Sequence, residues 1–302
     1  MPTNENLHKA KKAKNDEFYT RLTDVSKELE HYKQYFKDKI VLCNCDDPTW
    51  SAFWKYFHLN FSALGLKKLI SSHYDKTEPT YKMEYTGGDD NDIEDGVKTP
   101  LEGNGDFRNQ ECLDILDEAD IVVTNPPFSL FSEFVAVLMK HKKKFLIIGN
   151  QIAIIYKEFF PLLKEDKVWK GYERPSEFDT PTGMTKKARV SCRWFTNLGI
   201  QKRHEKLILR KNYSPEEYPK YDNYDAINVN KVTDIPCDYN GIMGVPITYF
   251  YKHNPDQFEI LGLTGTSREF VEGIIDSNSK TTMSLINGKR TYTRVLIRRK
   301  EK

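Results

Sequence analysis

Asp120-Ile121-Val122-Val123-Thr124 runs straight into Asn125-Pro126-Pro127-Phe128. The first five residues read as a short buried strand, and two consecutive prolines stop it. Each proline fixes its own φ and restricts the residue before it. The Asn125 side chain and the neighbouring main-chain carbonyl are therefore held rigidly at the strand's end. Two such oxygens can accept both hydrogens of a planar exocyclic amine and free the nitrogen lone pair for attack on an electrophile. Phe128 adds a flat face on which a planar substrate can stack.

The flanking sequence puts this element in an alternating array. Leu22, Val25, Leu29, Tyr32 and Phe36 share one face of a predicted helix, and the apolar run Ile40–Cys43 follows. Ser51–Leu59 reads as helix, Lys68–Ser72 as strand, and the Gly-, Asp- and Asn-rich stretch Tyr85–Asn104 as a loop. Leu113–Leu116 reads as a helical turn, Leu130–Met139 as helix and Phe145–Ile148 as strand. The pattern is that of an α/β fold with a doubly wound, mostly parallel sheet, whose ligands sit at the carboxyl ends of the strands. That rule selects Asn44–Asp47, His73–Asp75, Gly105–Arg108 and Thr124–Phe128.

The second half changes character. Prolines punctuate it, and Lys206–Leu209, Ile247–Tyr251, Phe258–Leu261 and Tyr292–Ile297 read as β-rich runs. A separate α+β lobe is expected, beginning between Tyr156 and Val168, which divides the chain into 1–165 and 166–302.

The 302 residues carry 46 Lys+Arg against 44 Asp+Glu, with 38% hydrophobic and 13% aromatic side chains, too aromatic for a disordered chain. Mean hydropathy is −0.66, and no run approaches the ~18 apolar residues of a membrane helix. The opening MPTNENLHKAKKAKN lacks the apolar core of a secretory signal. A soluble cytoplasmic protein is expected. The five cysteines show no metal-ligand spacing and read as reduced thiols, so no metal is expected. No G-x-x-x-x-G-K and no G-x-S-x-G occurs, which removes support for a kinase or a serine hydrolase.

Charge is unevenly distributed. Residues 1–150 carry 20 basic and 25 acidic side chains, and residues 151–302 carry 26 and 19. Basic residues cluster at 185–211, including Lys186, Lys187, Arg189, Arg193, Lys202 and Arg203, and again at 289–302. A basic, aromatic second half suits nucleic acid, although charge alone does not separate such a face from a solvated one.

Asn125-Pro126-Pro127-Phe128 at a strand end resembles motif IV of the amino-group methyltransferases. With Asn15–Thr20, Val41–Pro48 and Trp194–Leu198 in order along the chain, the sequence resembles the EcoRI-type adenine-specific DNA methyltransferase family. The match spans roughly residues 15–200, and Gly262–Gly265 is compatible with it. The turn Asn44–Ser51 has no glycine, unlike most methyltransferases, and the EcoRI type shares that departure.

The resemblance implies a Rossmann-like catalytic domain with a target-recognition lobe, S-adenosyl-L-methionine as cofactor, and methylation of adenine N6 in double-stranded DNA with base flipping. It assigns Asn125, Pro126, Pro127 and Phe128 to catalysis. It assigns Phe18, Tyr19, Thr20, Asn44, Cys45, Asp46, Asp75, Asp106, Phe107 and Asn125 to the cofactor. Phe128 is the expected base-stacking ring on one face of the base and Phe195, or Trp194, on the other, and the 185–211 and 289–302 clusters are the expected phosphate contacts. The restriction-modification setting, bacterial or phage, adds a cognate endonuclease as a candidate partner. With no coiled coil or long apolar stripe, a monomer is expected. Methylation of an RNA base or a protein glutamine, and a cofactor-free DNA-binding relative, are the alternatives.

Overall fold

The computed structural model describes residues 19–77, 80–175, 177–179, 185–187 and 191–300. Phe18 and Arg189, both expected site residues, lie outside this set. The chain forms two compact units. The first comprises residues up to Ala153 together with Lys170–Leu198, and the second Ile154–Trp169 together with everything from Gly199 onward.

The first unit opens with β1 (Tyr19–Thr20) and α1 (Leu22–Leu29), which continues as a 3-10 helix to Tyr35. Val25, Leu29, Tyr32 and Phe36 recur at helical spacing and are all fully buried. β2 (Ile40–Cys43) follows, then α2 (Ala52–Leu59), whose first turn is capped when Ser51 Oγ accepts from Trp54 N at 3.3 Å. α3 (Phe61–Leu64) stops at Gly65, whose φ of +64° is the left-handed conformation glycine adopts without strain. β3 (Lys68–Ser72), β4 (Tyr81–Tyr85) and β5 (Val97–Pro100) come next, then α4 (Gln110–Glu118) and β6 (Ile121–Thr124).

After the Asn-Pro-Pro-Phe turn comes α5 (Phe131–Lys140), which buries Phe131, Phe134, Val135 and Leu138. Each such side chain contributes about 1.5–3 kcal/mol when fully buried. β7 (Lys144–Asn150) completes the parallel run. The chain then passes through α6 (Phe160–Lys164) in the second unit and returns along β8 (Trp169–Lys170). It goes on through β9 (Glu177–Asp179), β10 (Thr185–Lys187) and β11 (Cys192–Thr196).

The main sheet has the order β5-β4-β3-β2-β6-β7-β11-β8, and β3, β2, β6 and β7 run parallel. Chain order reverses between β2 and β6, which is the topological switch point of a Rossmann-like sheet. β4 and β5 on one side and β11 on the other are antiparallel additions. A second, three-stranded sheet pairs β1 with β9 and β9 with β10.

Several expectations change here. Tyr85–Asn104 is not one loop, because Val97–Pro100 returns as an antiparallel partner of β4. Residues 170–198 belong with the sheet rather than the lobe, since β11 pairs with β7 from Cys192↔Asn150 to Thr196↔Leu146. Residues 154–169 go the other way, so the chain crosses between units more than once.

In the second unit β12 (Ile227–Asn228), β13 (Met243–Pro246), β17 (Arg294–Arg299) and β14 (Phe258–Leu263) form a four-stranded sheet in that order. β15 (Leu285–Ile286) and β16 (Lys289–Arg290) make a separate hairpin. Tyr221, Tyr224, Val271 and Leu296 pack together in its core. Ile247–Tyr251 is a 3-10 helix and not a strand, and Lys206–Leu209 is irregular. Among the described residues no helix is long and apolar enough to cross a membrane.

Candidate active site

The carboxyl ends of β2, β3 and β6 are polar where the strands themselves are apolar. Asn44, Asp46, Ser72, His73, Thr124 and Asn125 are each less than a tenth exposed. Burying this many polar groups side by side is costly unless they bind one another or a ligand.

The turn after β2 is fixed by neighbouring strands. Ser71 Oγ donates to the carbonyls of Cys43 at 2.9 Å and Asp46 at 3.4 Å. Asp47 accepts from Thr49 N at 2.9 Å, Thr49 Oγ1 at 2.7 Å and Tyr81 Oη at 2.8 Å, and its other oxygen lies 3.5 Å from His73 Nε2. Burial alone would raise the Asp47 carboxyl, but these bonds hold it below the usual carboxylate range. Burial also holds His73 below the usual imidazole range, against the pull of Asp47 and Asp75. His73 Nδ1 is buried with no hydrogen-bond partner in the described residues.

The loop after β5 closes on the end of β3. Asp75 N donates to Asn104 O at 3.3 Å, and Asp75 Oδ1 accepts from Thr77 N at 2.7 Å and Thr77 Oγ1 at 3.0 Å. Gly105 has φ +71°, and a Cβ there would come within 1.9 Å of the His73 carbonyl oxygen, so only glycine fits. Asp106 is gripped on both oxygens by Arg108, at 2.9 Å from Nε and 2.6 Å from Nη2. Those bonds hold Asp106 below the usual carboxylate range. Arg108 also reaches Glu133 on α5 at 2.8 Å. Phe107 is buried edge-on against Phe134, centroids 5.1 Å apart, with the Arg108 guanidinium over its ring at 5.4 Å.

Asn125 lies at the end of β6, beside the switch point. Pro126 is buried, Pro127 exposed, and Leu130 N returns to Pro127 O at 2.9 Å, which seats Phe128 half-exposed in a short 3-10 turn. Burial pushes the Cys45 thiol up.

The structure thus brings Asn44, Cys45, Asp46, Asp75, Asp106 and Asn125 to one edge of one sheet. Tyr19 and Thr20 pair with β9 in the three-stranded sheet, whose third strand, β10, carries Lys186 and Lys187. Asp47 and His73 fall in the strand-end stretches that the sequence selects, and Ser71 and Tyr81 join them in organising the same edge. The Tyr81–Asp47 bond spans 34 positions in sequence, and no local pattern reveals it.

Phe195 does not serve as a stacking ring in this structure. It is 1% exposed, paired with Ile147 in the sheet and packed 5.7 Å from Phe131. The whole Trp194–Leu198 stretch is a zipper to β7. Thr196 Oγ1 donates to Phe145 O at 2.6 Å, while Asn197 accepts from Phe145 N and donates to Lys143 O, both at 2.9 Å. Arg203 is likewise committed to structure. Its guanidinium stacks on Trp169 at 4.1 Å and bonds Asp166 at 2.6 Å. Arg193 is half-buried and donates to Cys192 O at 2.7 Å.

Residues 6–300 match the family model described as adenine-specific methyltransferase EcoRI. The chain belongs to that family. It is 45% identical over 99% of its length to a type II methyltransferase, M.EcoRI, of Escherichia coli, covering 97% of that protein. It is 37% identical to the type II methyltransferase M.MgeORF184P of Mycoplasma genitalium, covering 98% of this chain and 99% of the relative. Against the type II methyltransferase M.MpnI of Mycoplasma pneumoniae identity is 36%, over 98% of each chain. No solved structure matches.

Proposed function

We propose that this chain methylates N6 of adenine in duplex DNA with S-adenosyl-L-methionine as donor. The observation that supports it best is Asn125, presented by two prolines at the end of β6 beside a buried polar edge formed by β2 and β3. The edge fits a polar, zwitterionic donor. It offers the buried Asp46 carboxylate, the buried Asn44 amide and the unpartnered Nδ1 of His73. When bound, the donor supplies an electrophilic methyl group on a sulfonium.

The chain's own residues do the rest. The Asn125 side-chain oxygen and a neighbouring main-chain carbonyl accept the two hydrogens of the amine, directing its lone pair outward and holding the proton to be lost. Phe128, half-exposed, stacks on a base turned out of the duplex. The rigid proline pair contributes positioning, which with the lone-pair activation by Asn125 carries the rate of a direct transfer. The first unit carries this chemistry, and the second supplies target recognition. A DNA substrate fits a cytoplasmic enzyme, bacterial or phage-encoded, and the type II relatives fit a cognate endonuclease as partner.

The test is methyl transfer from labelled donor to duplex DNA, with N6-methyladenine mapped by sequencing and Asn125→Ala alongside. Label at one short motif, lost with Asn125→Ala, is the expected outcome. Label on RNA or protein and none on DNA overturns the substrate assignment.

A further inference from the structure

We propose that the hairpin β15–β16, with Tyr292 beside it, is the part of the second unit that enters a groove of the DNA, with Arg290 reading a base edge and Lys289 contacting a phosphate. The proposal rests on the methyltransferase reading and extends it to the recognition element.

The structure sorts the basic residues of this unit by what they already hold. Arg203 bonds Asp166, Arg294 bonds Asn228, Arg298 bonds Glu259, and Arg268 and Arg299 bond main-chain carbonyls. These five arginines carry structure. The side chains of Arg290 and Arg210, by contrast, are exposed and make no hydrogen bond or ion pair among the described residues, and that of Lys289 is the same. An arginine left with all five donors is the side chain best suited to a bidentate contact with guanine.

The hairpin is built to present them. Asn287 and Gly288 have φ +50° and +71°, the pair of positive values that makes the tightest two-residue turn. Register is Leu285↔Arg290 and Ile286↔Lys289, so the two cations point to opposite faces. The tip is clamped, because Asp222 accepts from Asn287 N at 3.1 Å and from Gly288 N at 2.7 Å. The base is clamped too. Buried Asn223 accepts from Leu285 N at 3.0 Å and donates to Met283 O at 2.9 Å, and Thr291 N donates to Ser284 O at 2.8 Å. Side chains that read bases need such a rigid mount. Two residues beyond Arg290, Tyr292 is 82% exposed, an aromatic ring beside free cations. A two-stranded ribbon of this size fits the major groove.

The experiment measures binding of wild type, Arg290→Ala, Lys289→Ala and Tyr292→Ala to a duplex carrying the motif that wild type methylates, and to a scrambled duplex, over a range of KCl. Arg290→Ala is expected to lose about ten- to a hundredfold in affinity for the motif duplex and little for the scrambled one. Lys289→Ala is expected to weaken both alike and to reduce the slope of log K against log salt by about 0.9. Tyr292→Ala is expected to weaken both several-fold. These side chains are exposed, so melting temperatures stay at the wild-type value. Wild-type methylation together with unchanged affinity and salt slope in all three variants overturns the hairpin assignment alone. Absence of methyl transfer to DNA by wild type overturns the functional reading beneath it.

Discussion

The hydroxyl of Tyr81 donates to Asp47 Oδ1 at 2.8 Å, tying an antiparallel strand outside the parallel core to the turn that follows its first strand. Through that one bond the β4–β5 hairpin stiffens the candidate cofactor turn. Tyr81→Phe keeps the ring and removes the bond, and a hydrogen bond to a charged group contributes about 1.5–3 kcal/mol. Weaker donor binding by about three- to tenfold is expected by calorimetry, with a small drop in melting temperature. A drop in melting temperature with unchanged donor affinity would mean that the bond serves stability alone.

Phe128 and Phe195 are both expected stacking rings from the sequence and are opposites in the structure. Phe195→Ala empties a fully packed position and is expected to cost about 3–5 kcal/mol of stability. Phe128→Ala touches a half-exposed ring, so it is expected to leave the urea midpoint near wild type while methyl transfer falls. Equal destabilisation by the two would sink the distinction.

Arg203 offers a similar contrast. Its guanidinium is spent on Trp169 and Asp166. Arg203→Ala is expected to lower the melting temperature by several degrees without changing the salt slope of DNA binding. A reduced slope in a variant that melts normally would return this residue to the DNA-contacting set.

Glu28 gives a pH signature. It is fully buried and accepts from Tyr32 Oη and Tyr172 N, each at 2.9 Å, and from Glu173 N at 2.5 Å. Burial raises its carboxyl above the usual range, outweighing those bonds. Between the ordinary glutamate value and this raised one the folded chain holds the proton more tightly than the unfolded chain. Stability attributable to Glu28 is therefore present at the acid end of that window and declines as pH rises through it. Glu28→Gln should flatten the decline, as read from urea midpoints at a series of pH values. Parallel curves for the two proteins would refute it.

The strands of the parallel core are legible locally. Ile40–Cys43, Lys68–Ser72 and Ile121–Thr124 are short, apolar and bounded by turn residues, and each is a strand of the parallel core. Asn125 falls at a strand end because two prolines leave little choice. Ile247–Tyr251 is not legible, since a five-residue apolar run has no distinguishing period, and it winds as a 3-10 helix burying Tyr249 and Phe250. Phe195 was misplaced because its strand partner, Ile147, lies far back along the chain. The strand-end rule selects Asp47 and His73, but their contacts with each other and with Tyr81 are not legible locally, because they form only once three strands are adjacent.

The excursion of residues 154–169 into the second unit, followed by the return of 170–198, has a consequence for synthesis. A nascent chain that has emerged only as far as residue 165 carries β7 with an open edge, because the β11 segment that pairs with it is still inside the ribosome. The catalytic sheet cannot be finished before part of its neighbour has been made. Neither unit can be obtained by trimming one terminus, because each is assembled from two separate stretches of the chain.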